Sequence, residues 1–453
     1  MAPTGRHTNV GDLADRIRRM PPRLLLPHVR LDSDAPDRLE LRDACSLPGH
    51  GSRLQLCLLE DPEEHVHAVV LVVDGERVRP ARAGDGAASM LARAVATDVL
   101  PAPFAVRRRP RTADDPFPEL SPAVREDEVV DSEAERETLA VGVNRLVVVE
   151  HLPTLLRSRP PDALEHCRQV GLVLGAQDLG DLVHDPGGEG DWLGPIARVV
   201  GRRPDGPLLS DELLGALLSS ARGGDTERAV DLAGELGRAL GDVHVALATP
   251  SPVLRQPVLP ASSDVLAHWR RTAADAVAAA AVLAESGSVQ RLRGGRERLR
   301  EAFAQLDSAH GTSVLLGEAL PGVDAFRVEV DGRVLLLPDQ VGPSVDGHSP
   351  AQDVAVLLRG IARIAWTTHR RLVLADRAVA SEQVADWENA MRELVLDGYL
   401  EVLDEAGHTE LFDERLLTAF EIQAQCQALV RSVRTLSAGT VVSDTALAAL
   451  LGR

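Results

Sequence analysis

The chain has 453 residues, enough for two or three domains with ample core. Its formal net charge of −19 argues against nucleic acid or an anionic membrane as the main partner. It contains no lysine, so all 49 basic residues are arginine, and a Walker P-loop, a Schiff-base lysine and a strand lysine gripping nucleotide phosphates are all excluded.

In chain order, the first twenty residues lack an apolar core segment, so no signal peptide is expected. No uninterrupted run approaches the roughly 20 apolar residues of a membrane span. Residues 1–103 read as a small α/β module. Arg38–Arg42, Arg53–Leu59 and His67–Val73 are candidate strands, Asp74-Gly75 a turn, and Ala87–Val99 a helix. His65 and His67 alternate with Val66 on one strand face; exposed histidines are the better reading than a metal pair, since no third ligand is in sight. Residues 104–138 read as an exposed, Pro-rich, charged linker, from the basic Arg107–Arg111 to the acidic Glu126–Glu137. Cys45, Cys57, Cys167 and Cys426 are too scattered for a metal or disulfide framework, which fits a reducing cytoplasm.

Residues 139–205 open with a buried strand at Leu146–Val149, and Asp162–Val170 is a helix candidate. Residues 206–453 read as mainly helical. Ala229, Leu232, Ala233, Leu236, Leu240 and Val243 recur at helical spacing, and His244 near that helix end reads as a packing or capping histidine. Asp264–Ser286 and Arg291–Leu306 are further helices. The most informative stretch is Val330–Gly360. Asp331-Gly332 marks a hairpin turn, and Val334–Leu337 a buried strand with Asp339 at its end and Gly342 three residues on. A polar loop then leads to Ser349-Pro350, which starts a helix with Asp353 in its first turn.

Strand, Asp, Gly, loop and Ser-Pro-x-x-Asp-Val-Ala resembles the sugar and aminoglycoside phosphotransferases of the protein-kinase-like fold, and among them the maltokinase family. That family's Asp-Phe-Glu-Gly corresponds to Asp339–Gly342, and its Ser-Pro-Leu-Arg-Asp-Val-Ala to Ser349–Ala355. Leu236–Leu247 and Leu416–Glu421 are similar to two more family segments, so the resemblance covers roughly residues 139–440. It implies a two-lobed α/β (α+β) phosphotransferase with an N-terminal cap over 1–103, an N-lobe over 139–205 and a helical C-lobe over 206–453. It also implies that Asp339 binds the metal and that Asp353, with Ser349 and Gly342, braces the fold. Arg157 is the stand-in for the missing phosphate-gripping lysine, and Glu165 its carboxylate partner.

The family's catalytic loop, His-Gly-Asp-x-His-x-Gly-Gln, is recovered whole by no placement. Counting back ungapped from Asp339 puts Gly322 in the base position. Matching His310-Gly311 literally puts Thr312 there, with Gly317-Glu318 after it. A hairpin two residues shorter puts Asp324 in the base position and Glu329 in that of the final Gln, a further metal ligand. Bracing parts retained and reactive parts lost imply a maltokinase-like pseudokinase that works by binding, with a protein partner, no cofactor, and a place by analogy in α-glucan or trehalose metabolism. The alternative is an active ATP-dependent kinase of a sugar or aminoglycoside. It would use Asp324 as base, Glu329 and Asp339 on Mg²⁺, and Arg157 on the phosphates of Mg-ATP. A kinase-like accessory protein of natural-product biosynthesis is a third reading.

Overall fold

The computed structural model describes residues 10–26, 38–47, 53–82, 85–108, 127–133, 136–141, 147–151, 154–155, 163–174, 176–185, 193–202, 206–224, 226–283, 292, 294–319, 322–329, 331–337, 341–375, 381–434, 445, 447–448 and 450–451. Two compact units divide the chain: residues 1–160 with 176–204, and residues 161–175 with 205–453.

The first unit opens with helices α1 (Val10–Arg18) and α2 (Pro22–Leu25). Strands β1 (Glu40–Ser46), β2 (Leu54–Glu60), β3 (Val66–Asp74) and β4 (Arg77–Pro80) pair antiparallel in sequence order, and β9 (Thr154–Leu155) joins β3. Side chains alternate faces along a strand. Accordingly Leu56, Leu58, Val66, Ala68 and Val70 pack with helix α3 (Ala87–Thr97), while Cys57, Leu59, Val69, Leu71 and Val73 pack with Leu13 and Ile17 of α1. Covered on both faces, β3 needs the continuous apolar run that its sequence shows.

A six-stranded antiparallel sheet completes this unit, in the order β5 (Phe104–Arg108), β10 (Ala176–His184), β11 (Leu193–Arg202), β8 (Val147–His151), β7 (Arg136–Val141), β6 (Asp127–Glu133). The expected linker over 104–138 is corrected here: Phe104–Arg108, Asp127–Glu133 and Arg136–Val141 are strands. For β5 and β6 charge misled because they are the two edges of the sheet, where charged side chains are tolerated. Residues 109–126 lie outside the described residues.

The second unit gathers helices α4 (Ala163–Gln169), α5 (Leu209–Ser220), α6 (Glu227–Ala248), α7 (Ser263–Leu283), α8 (Arg296–Asp307), α9 (Pro350–Leu374), α10 (Ser381–Glu405) and α11 (Glu414–Arg434) around one core. Trp269 of α7 meets Phe420 of α11 edge to face in it. The helix expected over 162–170 forms, but within this unit rather than with the six-stranded sheet. Buried His166 of α4 donates from Nε2 to the Ala246 carbonyl (3.0 Å), and its Nδ1 lies 2.7 Å from the Ser251 hydroxyl.

Two small sheets belong here. β12 (Val258–Pro260), β13 (Ser313–Ala319) and β16 (Val341–His348) pair antiparallel; β14 (Phe326–Val328) and β15 (Val334–Leu336) form a hairpin. The stretch before Ser349, expected as a polar loop, is strand β16. It lies at a sheet edge, where Pro343, with no N–H to give, is tolerated.

Candidate active site

The site is built on the β14–β15 hairpin and the N-terminal half of α9. Gly332, at φ +90°, lets the chain turn, and the Glu329 N–H closes the loop onto the Arg333 carbonyl (2.8 Å). Val328 therefore faces Val334, and Phe326 faces Leu336. At the open end, Leu337 N–H donates to the Ala325 carbonyl (2.9 Å). Ala325 ends a short 3-10 turn, Val323–Ala325, that carries Asp324. The backbone of Asp324's turn is thus tied to the chain two residues before Asp339. Asp339 itself lies outside the described residues, as does Arg157.

Helix α9 rests on the same turn. Gly360 allows this approach: a Cβ there would fall 2.6 Å from Val323 Cγ2. One helical turn further on, Arg363 Nη2 donates to Asp324 Oδ2 in an ion pair whose side chains are both about half exposed. Val323 is buried and Asp324 points out, so the turn presents one carboxylate to solvent beside one guanidinium.

Asp353, in the first turn of α9, is fully buried. It accepts from His348 Nε2 at 2.7 Å and from His244 Nε2 at 2.9 Å, and His244 Nδ1 lies 2.8 Å from the Tyr399 hydroxyl. A carboxylate only accepts, so both imidazoles carry a proton on Nε2. Burial pushes the Asp353 carboxyl up. The charge of His348 and the hydrogen bonds from His244 and His348 more than reverse this, and hold it below the usual aspartate range. Burial, with the charge of Asp353, pushes the Tyr399 phenol well above its ordinary value. Ser349 caps α9, its N–H donating to Gln352 Oε1 (3.0 Å). Asp353 thus joins α6, α9, α10 and the end of β16.

The remaining sequence candidates fall apart in space. Glu329 sits at the closed end of the hairpin, while Leu337 leaves the open end toward Asp339. Strand rise puts roughly 10 Å between those ends, so the structure does not group Glu329 with Asp324. Thr312 precedes β13 at the end paired with β12, and its hydroxyl donates to Asp413 Oδ2 (2.5 Å). Gly342 pairs with Glu318 at the other end of β13. Of the three loop placements, the one naming Asp324 alone puts a carboxylate beside the strand that leads to Asp339. Glu165 pairs with Arg168 (2.7 Å) and Gln169 (3.0 Å) of its own helix. Sequence reasoning missed Gly360, Arg363, His348 and Tyr399. A glycine inside the α9 pattern was the signal for a close approach; the other three are ordinary surface or core residue types.

Among the described residues, no group of three or more His, Cys, Asp or Glu is spaced to hold a metal ion. Of the carboxylates the sequence offers for a Mg²⁺ site, Glu329 lies at the closed end of the hairpin and Asp339 lies outside the described residues. Asp353 does not belong to it, since both its oxygens are taken by imidazoles.

Comparison with known proteins places the fold. No family model matches the chain. Glucosamine kinase of Mycolicibacterium smegmatis is 26% identical over 228 residues, 49% of this chain and 54% of that protein. Glucosamine kinase of Streptacidiphilus jiangxiensis is 25% identical over 227 residues, 48% and 49% of the two. The chain spans about half the length of these curated relatives. Solved structures match throughout. One crystal form of a glucosamine kinase aligns over 97% of this chain and 99% of its own, with TM-score 0.71 and 22% identity. A glucosamine kinase in complex with glucosamine, ADP and inorganic phosphate aligns over 98% of this chain, with TM-score 0.68 and 23% identity. The expected maltokinase-like assignment is corrected by these glucosamine kinases. Hairpin, Asp-x-x-Gly and Ser-Pro-x-x-Asp helix report a scaffold that kinase-like phosphotransferases share, and so do not separate one sugar kinase from another. The pseudokinase reading and the expectation of no cofactor give way as well, because this scaffold is found holding nucleotide product and sugar. The chain has an α/β kinase-like fold, the fold of the glucosamine kinases.

Proposed function

We propose that this protein is an ATP-dependent sugar kinase whose acceptor is glucosamine or a hexose close to it. The observation that supports this most is the near end-to-end match to a glucosamine kinase structure that contains glucosamine, ADP and phosphate. In this reading residues 1–103 form an N-terminal cap. The four cysteines are free and buried, and burial pushes the thiols of Cys45 and Cys426 up to about 12, which suits a cytoplasmic enzyme. No described helix is long and apolar enough to cross a membrane. A sugar and a nucleotide, rather than a protein, are its partners.

Phosphoryl transfer demands positioning and charge neutralisation more than covalent chemistry. Asp324 takes the proton of the attacking hydroxyl, and Asp339, which the sequence places two residues beyond Leu337, would hold Mg²⁺. The ion, when bound, neutralises charge on the phosphates. Asp353 keeps α9 and the end of β16 in place and touches no substrate.

The test is direct. Purified protein with Mg-ATP and glucosamine should release ADP and form a sugar phosphate, seen by coupled assay and mass spectrometry. Asp324→Asn should lower kcat at least about 100-fold, the usual span of general-base loss. Nucleotide turnover absent with glucosamine, glucose and maltose alike would sink the proposal.

A further inference from the structure

We infer that Arg363 is a catalytic residue that moves from the Asp324 carboxylate to the transferring phosphoryl group as the hydroxyl proton is taken; this rests on the kinase reading above.

Three observations meet at Arg363. First, the chain has no lysine, so a side-chain cation on a phosphate is an arginine or a protonated histidine. Second, the arginines around the hairpin are otherwise placed. Arg333 is paired with Asp331 at the closed end (2.8 Å), and Arg327 donates to the Gly206 carbonyl. Arg363 faces the open end, on the proposed base itself. Third, the pair is built rather than incidental. Gly360 seats α9 on Val323, and that seating sets Arg363 opposite Asp324. An ion pair about half exposed on both sides adds little stability, ordinarily under about 1 kcal/mol. Stability is therefore a weak reason for such seating.

The chemistry follows from charge balance. The acceptor O–H breaks and its proton goes to Asp324. The freed oxygen pair forms a bond to the γ-phosphorus, the bond from phosphorus to the β–γ bridging oxygen breaks, and its electrons leave with ADP. Neutralised by the proton, Asp324 no longer pairs with Arg363. The guanidinium loses its counter-charge at the moment the in-flight phosphoryl oxygens and the leaving oxygen need one. A fork of five donors meets two phosphoryl oxygens at once, where an ammonium would meet them as a point charge.

The experiment uses the full chain with Arg363→Ala, Arg363→Lys and wild type. Arg363→Ala should lower kcat by about 10³-fold, the lower end of the range for arginines at transferring phosphates, with sugar KM changed less than about threefold. Arg363→Lys should regain part of that loss, and added guanidinium should raise the rate of Arg363→Ala but not of wild type. Calorimetry gives a readout apart from turnover: Arg363→Ala should bind ATP and ADP as wild type does, because Arg363 stays on Asp324 until the proton is transferred. If wild type turns over and Arg363→Ala keeps kcat within about threefold, or loses ATP or ADP affinity, the inference fails and the kinase reading stands. If wild type itself transfers no phosphate, both fail.

Discussion

Asp353 has no exposed surface, and two imidazoles occupy its oxygens. The resemblance implies an aspartate there that braces the fold; the structure shows its oxygens held by the side chains of His244 and His348, and His348, five residues upstream, had no motif to mark it. Removing one partner of a buried charge pair ordinarily costs about 3–5 kcal/mol, so Asp353→Ala should lower the urea midpoint at pH 7 by that much stability. The carboxyl's folded-state pKa lies below its unfolded value, so its stabilisation is present above the unfolded pKa, near pH 4, and is lost as pH falls through the folded one. Asp353→Asn should accordingly flatten the acid limb of the stability profile. A wild-type-like limb in that variant would show that the carboxyl does not control it.

Helix pairing shows what element-scale reading reaches. The apolar spacing of α6 was legible, and it names Leu236, Leu240 and Val243 as core. That spacing does not say how closely a neighbour comes. Gly237 and Gly241 face α10 so tightly that a Cβ on Gly237 would lie 2.1 Å from the Val395 carbonyl oxygen, and Gly398 of α10 faces the Gly234 carbonyl in return. Backbone cannot step aside as a flexible side chain does. Gly237→Ala should therefore cost at least about 1–3 kcal/mol, the usual range for overpacking. Gly215→Ala on α5, with nothing near the new methyl, should add about 0.5–1 kcal/mol through helix propensity. Thermal melts of the two variants moving in opposite directions would confirm the contrast, and a shared sign would refute it. Strands β5 and β6 were illegible for the converse reason: their charges follow their place at the sheet edges, which local sequence does not state.

At the scale of the molecule, the proposed function expects the native state to bind nucleotide. A ligand that binds only the native state stabilises it by about 2.7 kcal/mol at a hundred times its Kd. Millimolar ATP with Mg²⁺ should raise the melting temperature by several degrees, and Asp339→Asn should remove the Mg²⁺-dependent part. No shift in wild type would count against the proposed function.

Composition alone ruled out whole chemistries, since a residue type that is absent cannot act wherever the chain folds. Local pattern likewise decided most helices, the hairpin turn and the Ser-Pro start of α9, because periodicity, capping and turn geometry are matters of neighbouring residues. Which carboxylate stands at the open end of the hairpin was decided only in three dimensions. Thr312 and Asp324 take the base position under rival placements of one loop, and one backbone hydrogen bond, from Leu337 to Ala325, ties the turn of Asp324 to the strand leading to Asp339, while Thr312 and Glu329 lie apart from it. The pairing of Asp324 with Arg363, thirty-nine residues on, depends in the same way on a helix approaching a turn, a distance that no run of sequence encodes.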